Sequence, residues 1–154
     1  VGRRDKADEG VTGPGKKKDY RLCIILSSGA YEKVHEAMGI ASVALARGGE
    51  VHVLFTYGAI GRLVKGMTDL VEMEGAPTPF AERFKKHVER GSIETISSMM
   101  RAGKQFGALS IYACSAAMAI LSVSHDDLIP EVDSVTGLVR FMDLVRDADT
   151  TLYI

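Results

Sequence analysis

Two cysteines, Cys23 and Cys114, are the strongest nucleophiles the chain offers, and their surroundings differ. Cys114 closes the apolar run Leu109-Ser110-Ile111-Tyr112-Ala113 and opens Ser115-Ala116-Ala117-Met118, where small residues favour a helix at once. At such a junction the backbone N–H groups of Ser115 to Ala117 have no intrahelical acceptor. The positive end of the helix dipole points the same way. Both favour a thiolate, the reactive form of the side chain. The same N–H groups can hold the outer oxygens of a sulfonate or thiosulfate. No acid–base residue adjoins Cys114 in sequence. That speaks against a hydrolase and suits thiol–persulfide exchange, which needs mainly a thiolate and a leaving sulfur. The competing reading is a buried structural cysteine.

Cys23 sits inside Leu22-Cys23-Ile24-Ile25-Leu26. That places it about 10 Å or more from the end of its strand, at about 3.3 Å per residue. A disulfide needs Cα atoms within about 7 Å, so Cys23 is expected in the core and Cys114 has no internal resolving thiol. The four histidines, His35, His52, His87 and His125, are scattered. His125-Asp126-Asp127 reads as an exposed turn rather than a metal site, because adjacent side chains diverge. No metal or cofactor is expected. Gly58-Ala59-Ile60-Gly61 has the letters of an RNA-binding GxxG loop without a basic surround. Neither a GxGxxG nor a Walker A pattern occurs. Lys85, Lys86 and Arg90 read as a solvated helix face.

The elements that must position Cys114 follow from the apolar pattern. Leu22 to Leu26 is a short continuous apolar run, as in a strand buried on both faces; Val51 to Thr56 reads as a second strand and Leu109 to Ala113 as a third buried one. Val34, Met38, Ala41 and Leu45 form a helical stripe between the first two, stopped by Gly48-Gly49. The first βαβ unit is therefore parallel. Residues 57–78, rich in Gly with Met67 and Met73, are expected as a broken helix and a loop, the methionines as filler. Phe80, Phe84 and Val88 mark one helix; Ile93, Ile96 and Met100 mark another, with Ser92 as a candidate cap. Val132 to Val135 is a short fourth strand. Leu138, Phe141, Met142 and Val145 define the last helix, and Thr151 to Ile154 the last strand. The order β-α-β-α-α-β-α-β-α-β predicts a three-layer α/β/α sandwich with a mostly parallel five-stranded sheet. Ligands of such sheets collect beyond the carboxyl ends of the strands. On that ground Ser28, Gly29, Tyr57 and Ser115 are expected to bind substrate beside Cys114.

Composition bounds the function classes. The chain has 154 residues, 46% hydrophobic and 25% charged, as for one globular domain. The net charge of -1 gives no global pull toward nucleic acid or anionic lipid. Residues 1–19 carry six Lys/Arg and four Asp/Glu with no apolar period, and read as a flexible tail before a domain at 20–154. The opening Val1-Gly2-Arg3-Arg4-Asp5 lacks an apolar signal segment, no run has the length of a membrane span, and two distant cysteines form no disulfide framework. A cytoplasmic location is expected.

Four stretches of residues 20–154 resemble the DsrE/DsrF-like proteins of the DsrEFH sulfur-relay superfamily. They are the opening strand with Ser28-Gly29; Ala46-Arg47-Gly48-Gly49 before Val51 to Thr56; Ile111-Tyr112-Ala113-Cys114 with Met118 four residues on; and Ala148-Asp149 before Thr150 to Ile154. Ala113-Cys114-x-x-x-Met118 is the specific one. Ser115-Ala116-Ala117 departs from the fuller Gln-Met-Ser version. The resemblance implies the three-layer fold and a cytoplasmic homo-oligomer, often a trimer or hexamer. It implies that Cys114 accepts sulfur as a persulfide or thiosulfonate and passes it on. The partner type it implies is a TusA-like sulfur carrier or a rhodanese. The alternative is a non-catalytic binding subunit in which Cys114 is structural and the 57–78 loop docks a partner.

Overall fold

Three six-residue runs, Arg21–Leu26 (β1), Glu50–Phe55 (β2) and Leu109–Cys114 (β3), form the middle of one sheet. Short strands Ser134–Thr136 (β4) and Thr150–Tyr153 (β5) form its edges. This computed structural model describes residues 20–154; the tail expected at 1–19 lies outside the described residues. The strand order is β4-β3-β2-β1-β5, and every neighbouring pair is parallel. The sheet is thus wholly rather than mostly parallel. Its central strands are mostly buried because helices cover both faces, and their polar residues, Arg21, Glu50, His52 and Ser110, lie in the half nearer the amino ends.

The helices are Tyr31–Ala46 (α1), Thr78–Glu89 (α2), Ile96–Gln105 (α3), Ser115–Ile120 (α4) and Leu138–Arg146 (α5). Side-chain alternation assigns their layers. Gly103 of α3 packs so tightly that a Cβ there would lie 2.6 Å from a Leu109 methyl and 3.2 Å from one of Leu45 on α1. Helices α1 and α3 therefore cover the face that carries Leu109. Phe141 of α5 meets the Tyr112 ring edge-on, with centroids 5.6 Å apart. Tyr112 is three residues beyond Leu109, so α5 covers the opposite face. In the parallel register, Cys23 pairs with His52 and His52 with Ser110, while Ile25 pairs with Leu54 and Tyr153. All of these share the α5 face with Tyr112 and Cys114.

Some boundaries move. β4 was expected over Val132 to Val135 and β5 over Thr151 to Ile154; each is offset by one or two residues. The cap of α3 is Thr95 rather than Ser92: its Oγ1 accepts the Ser98 N–H at 3.2 Å, and the helix begins only at Ile96. Segment 57–78 is a 3₁₀ helix, Tyr57–Leu63, followed by turns. Among the described residues no helix is long and apolar enough to cross a membrane.

Candidate functional site

At the carboxyl end of the sheet, the loops leaving β1 and β2 touch backbone to backbone. A Cβ on Gly29 would fall 2.4 Å from the Gly58 carbonyl oxygen, so glycine is required there. The chain enters this contact through Tyr57 at φ 44, a left-handed conformation seldom adopted by an aromatic residue. Ala59 N–H then bonds the carbonyls of Ser27 (3.2 Å) and Thr56 (3.0 Å). The result is a tight rim from which the Tyr57 side chain projects, 64% exposed.

Arg62 fastens the rim from below. It is buried, and its Nε donates to the Gly29 carbonyl at 2.7 Å. Its Nη1 donates to Met67 O at 3.2 Å and to Leu70 O. The guanidinium lies 5.6 Å from the centre of the Tyr31 ring. Burial lowers the basicity of Arg62, and the negative fields of Glu72, Tyr31, Glu32 and Asp69 work in the opposite direction. Sequence reasoning missed this residue. Its only signal is a charge embedded in the loop that the two glycine-rich turns enclose.

Cys114 ends β3 and is the N-cap residue of α4, at φ -71 and ψ 119. It is 5% exposed and borders a pocket of about 340 Å³. Ile25 and Tyr153 form one wall, from β1 and β5. Thr56 and Tyr57 come from the exit of β2; Ala116, Ala117 and Ile120 come from α4. Leu138 and Met142, one turn apart on α5, close the far side. Among the described residues no Lys, Arg, His, Asp or Glu lines it. The strand-to-helix junction expected at Cys114 is present, but α4 has six residues, about 9 Å of helix. Its dipole is correspondingly short.

The expected binding residues distribute unevenly. Tyr57 shares the pocket with Cys114. Ser115 is exposed beside the pocket without lining it, its Oγ turned toward Gly137. Ser28 accepts the Ala30 N–H on its Oγ at 3.2 Å and borders a separate hollow of about 340 Å³ on the other side of Tyr153. Gly29 borders a third hollow, of about 520 Å³, with Arg62. Met67 and Met73, expected as filler, line that hollow too. Leu138, Met142 and Tyr153 were read from sequence as core and strand residues. Their role as pocket walls depends on α5 lying across the ends of β1 and β5, which no local pattern reveals.

Cys23 is fully buried, and burial pushes its thiol up to about 11; Arg21 opposes this and Glu50 adds to it. Its row holds His52, whose Nδ1 lies 3.1 Å from the Tyr112 hydroxyl and whose Nε2 lies 3.0 Å from Glu50 Oε1. Ser110, in the same row, precedes Cys114 by four residues, about 13 Å along the strand. The two thiols are too far apart for a disulfide, and both are free. Among the described residues no three His, Cys, Asp or Glu side chains gather as metal ligands would.

The model of the DsrE/DsrF-like family matches residues 21–154. Among solved structures, a protein of unknown function from Methanobacterium thermoautotrophicum superposes with a TM-score of 0.56 at 11% identity. The match covers 88% of this chain and all of that one. At that identity the likeness concerns the fold. No curated protein sequence matches the chain.

Proposed function

The chain belongs to the DsrE/DsrF-like family, whose members take part in sulfur relay, and from that premise we propose that it is a sulfur carrier or sulfurtransferase working through Cys114. The observation that supports this most is the position of that thiol: at the carboxyl end of β3, on the wall of a pocket with room for a sulfur-bearing group. Cys114 accepts sulfur as a persulfide or thiosulfonate and passes it to a partner, a TusA-like carrier or a rhodanese. Tyr57 forms the mouth of the site, while Ser28, Gly29 and Ser115 shape the adjoining rim. The protein works in the cytoplasm as a homo-oligomer, a trimer or hexamer. The exposed apolar side chains Tyr57, Ile120, Leu138, Val139 and Tyr153 around the pocket suit an interface with a partner or another copy.

The test is the mass of the protein after incubation with inorganic polysulfide, followed by peptide mapping. Sulfur should add to Cys114, persist in Cys23→Ser and vanish in Cys114→Ser. Equal addition to both thiols, or none, contradicts the proposal. The low exposure of Cys114 favours a second reading: an oligomeric binding subunit of a sulfur-relay complex in which Cys114 is structural. In that case Cys114→Ser leaves partner binding intact and the native thiol resists alkylation.

A further inference from the structure

The walls of the Cys114 pocket bear on which sulfur group it takes, a question that rests on the functional reading above. A sulfonate-bearing cargo carries a permanent, strongly hydrated negative charge. Taking it out of water requires a cation or a dense set of donors. Among the described residues the pocket lining contains no cationic side chain; its polar side chains, besides the Cys114 thiol, are those of Thr56, Tyr57 and Tyr153. The first N–H groups of α4 are the remaining donors, and that helix has only six residues. The rest of the lining includes Ile25, Ile120, Leu138 and Met142. The volume, about 340 Å³, far exceeds what one sulfur atom fills and falls at the lower end of the roughly 300–1,000 Å³ of small-molecule sites.

We infer that Cys114 takes its sulfur from an uncharged organic polysulfane, R–S–S–S–R with a small apolar R, and that the pocket holds R while rejecting sulfonate-bearing donors. The thiolate, its proton given to water, attacks the central sulfur. The Cys114 Sγ–S bond forms as one donor S–S bond breaks, and its electron pair leaves with R–S⁻. The product is Cys114–S–S–S–R (the first sulfur being Sγ), with R against Leu138 and Met142; a second thiolate that attacks the R-bearing sulfur leaves with it as a mixed disulfide and frees the persulfide Cys114–S–S⁻. The exchange is balanced and needs no external oxidant or reductant.

Matched thiol reagents read the pocket's preference directly. Ethyl methanethiosulfonate and sulfonatoethyl methanethiosulfonate share a reacting centre and both expel methanesulfinate. They differ in the charge on the group delivered. Their rates on Cys114 in the Cys23→Ser protein, each divided by the rate with free cysteine, should favour the neutral reagent by at least about tenfold. Met142→Lys, at a half-exposed position that tolerates charge, should narrow that ratio by about threefold or more. Dimethyl trisulfide should add the trisulfide group to Cys114, whereas tetrathionate should leave little adduct. Equal or inverted rates overturn the inference and leave the sulfur-carrier reading standing on the polysulfide experiment. Failure of both reagents to reach Cys114 overturns the two together.

Discussion

The Cys23 row and the Cys114 rim lie on one face of one sheet, about 13 Å apart along the strands. Around Cys23 the ladder is regular and the neighbours are polar and mutually satisfied: Arg21 with Glu50, Glu50 with His52, His52 with Tyr112. Around Cys114 the backbone is bent out of regular form. Tyr57 is left-handed, Cys114 itself leaves the strand as the cap of α4, and the pocket wall is largely apolar. Cys23 is enclosed by the core, whereas Cys114, equally free of ordinary exposure, lines a cavity. The difference lies in what borders each sulfur, since both residues count as buried.

The contrast can be broken by dismantling the rim. Arg62→Met removes the bonds to the carbonyls of Gly29, Met67 and Leu70. Losing three bonds from one buried guanidinium should lower unfolding stability by about 3 kcal/mol, read as a lower urea midpoint with an unchanged slope. Below the midpoint, alkylation of Cys114 should change while Cys23 stays protected. Gly29→Ala is the narrower version. Its methyl collides with the Gly58 carbonyl, and because both sides are backbone, relief requires the loops to part. A loss of about 1–3 kcal/mol is expected, together with an altered Cys114 rate.

A smaller effect sharpens the contrast from the other side. The Cys23 thiol is held protonated up to about 11, against an ordinary value of 9.0. Between these values the unfolded chain has released a proton that the native state retains. The Cys23 contribution to stability is therefore complete below pH 9 and is lost as pH rises toward 11. Over that interval the wild type should lose stability more steeply than Cys23→Ala, which subtracts the parallel contributions of Tyr31 and Tyr112. Identical slopes would show that Cys23 is not sequestered.

Much of this was legible in the sequence. Short, largely apolar runs marked the three central strands, the stripe from Val34 to Leu45 marked α1, and the change from Ala113 to Ser115-Ala116-Ala117 marked the junction at Cys114. Parallel pairing followed too, because crossovers of that length require it, whereas the order of the strands did not. What stayed hidden depends on distance in sequence. Tyr153 reaches the Cys114 pocket only because β5 returns beside β1, and Leu138 and Met142 only because α5 crosses that face. The burial of Arg62 follows from three loop carbonyls that converge after folding. The strand-end rule grouped Ser28 and Gly29 with Cys114, yet Tyr153 and the rim itself divide the carboxyl edge into separate hollows.

Competitive labelling of the native protein with iodoacetamide, quenched over time and followed by peptide mapping, compares the two sulfurs in a single tube. Cys114 should be carboxamidomethylated at least about tenfold faster than Cys23, with Cys23 reacting only as fast as the chain unfolds. Protection of Cys114 to the same degree as Cys23 would mean that its pocket admits no reagent, and a sulfur-carrying role for that thiol would be excluded.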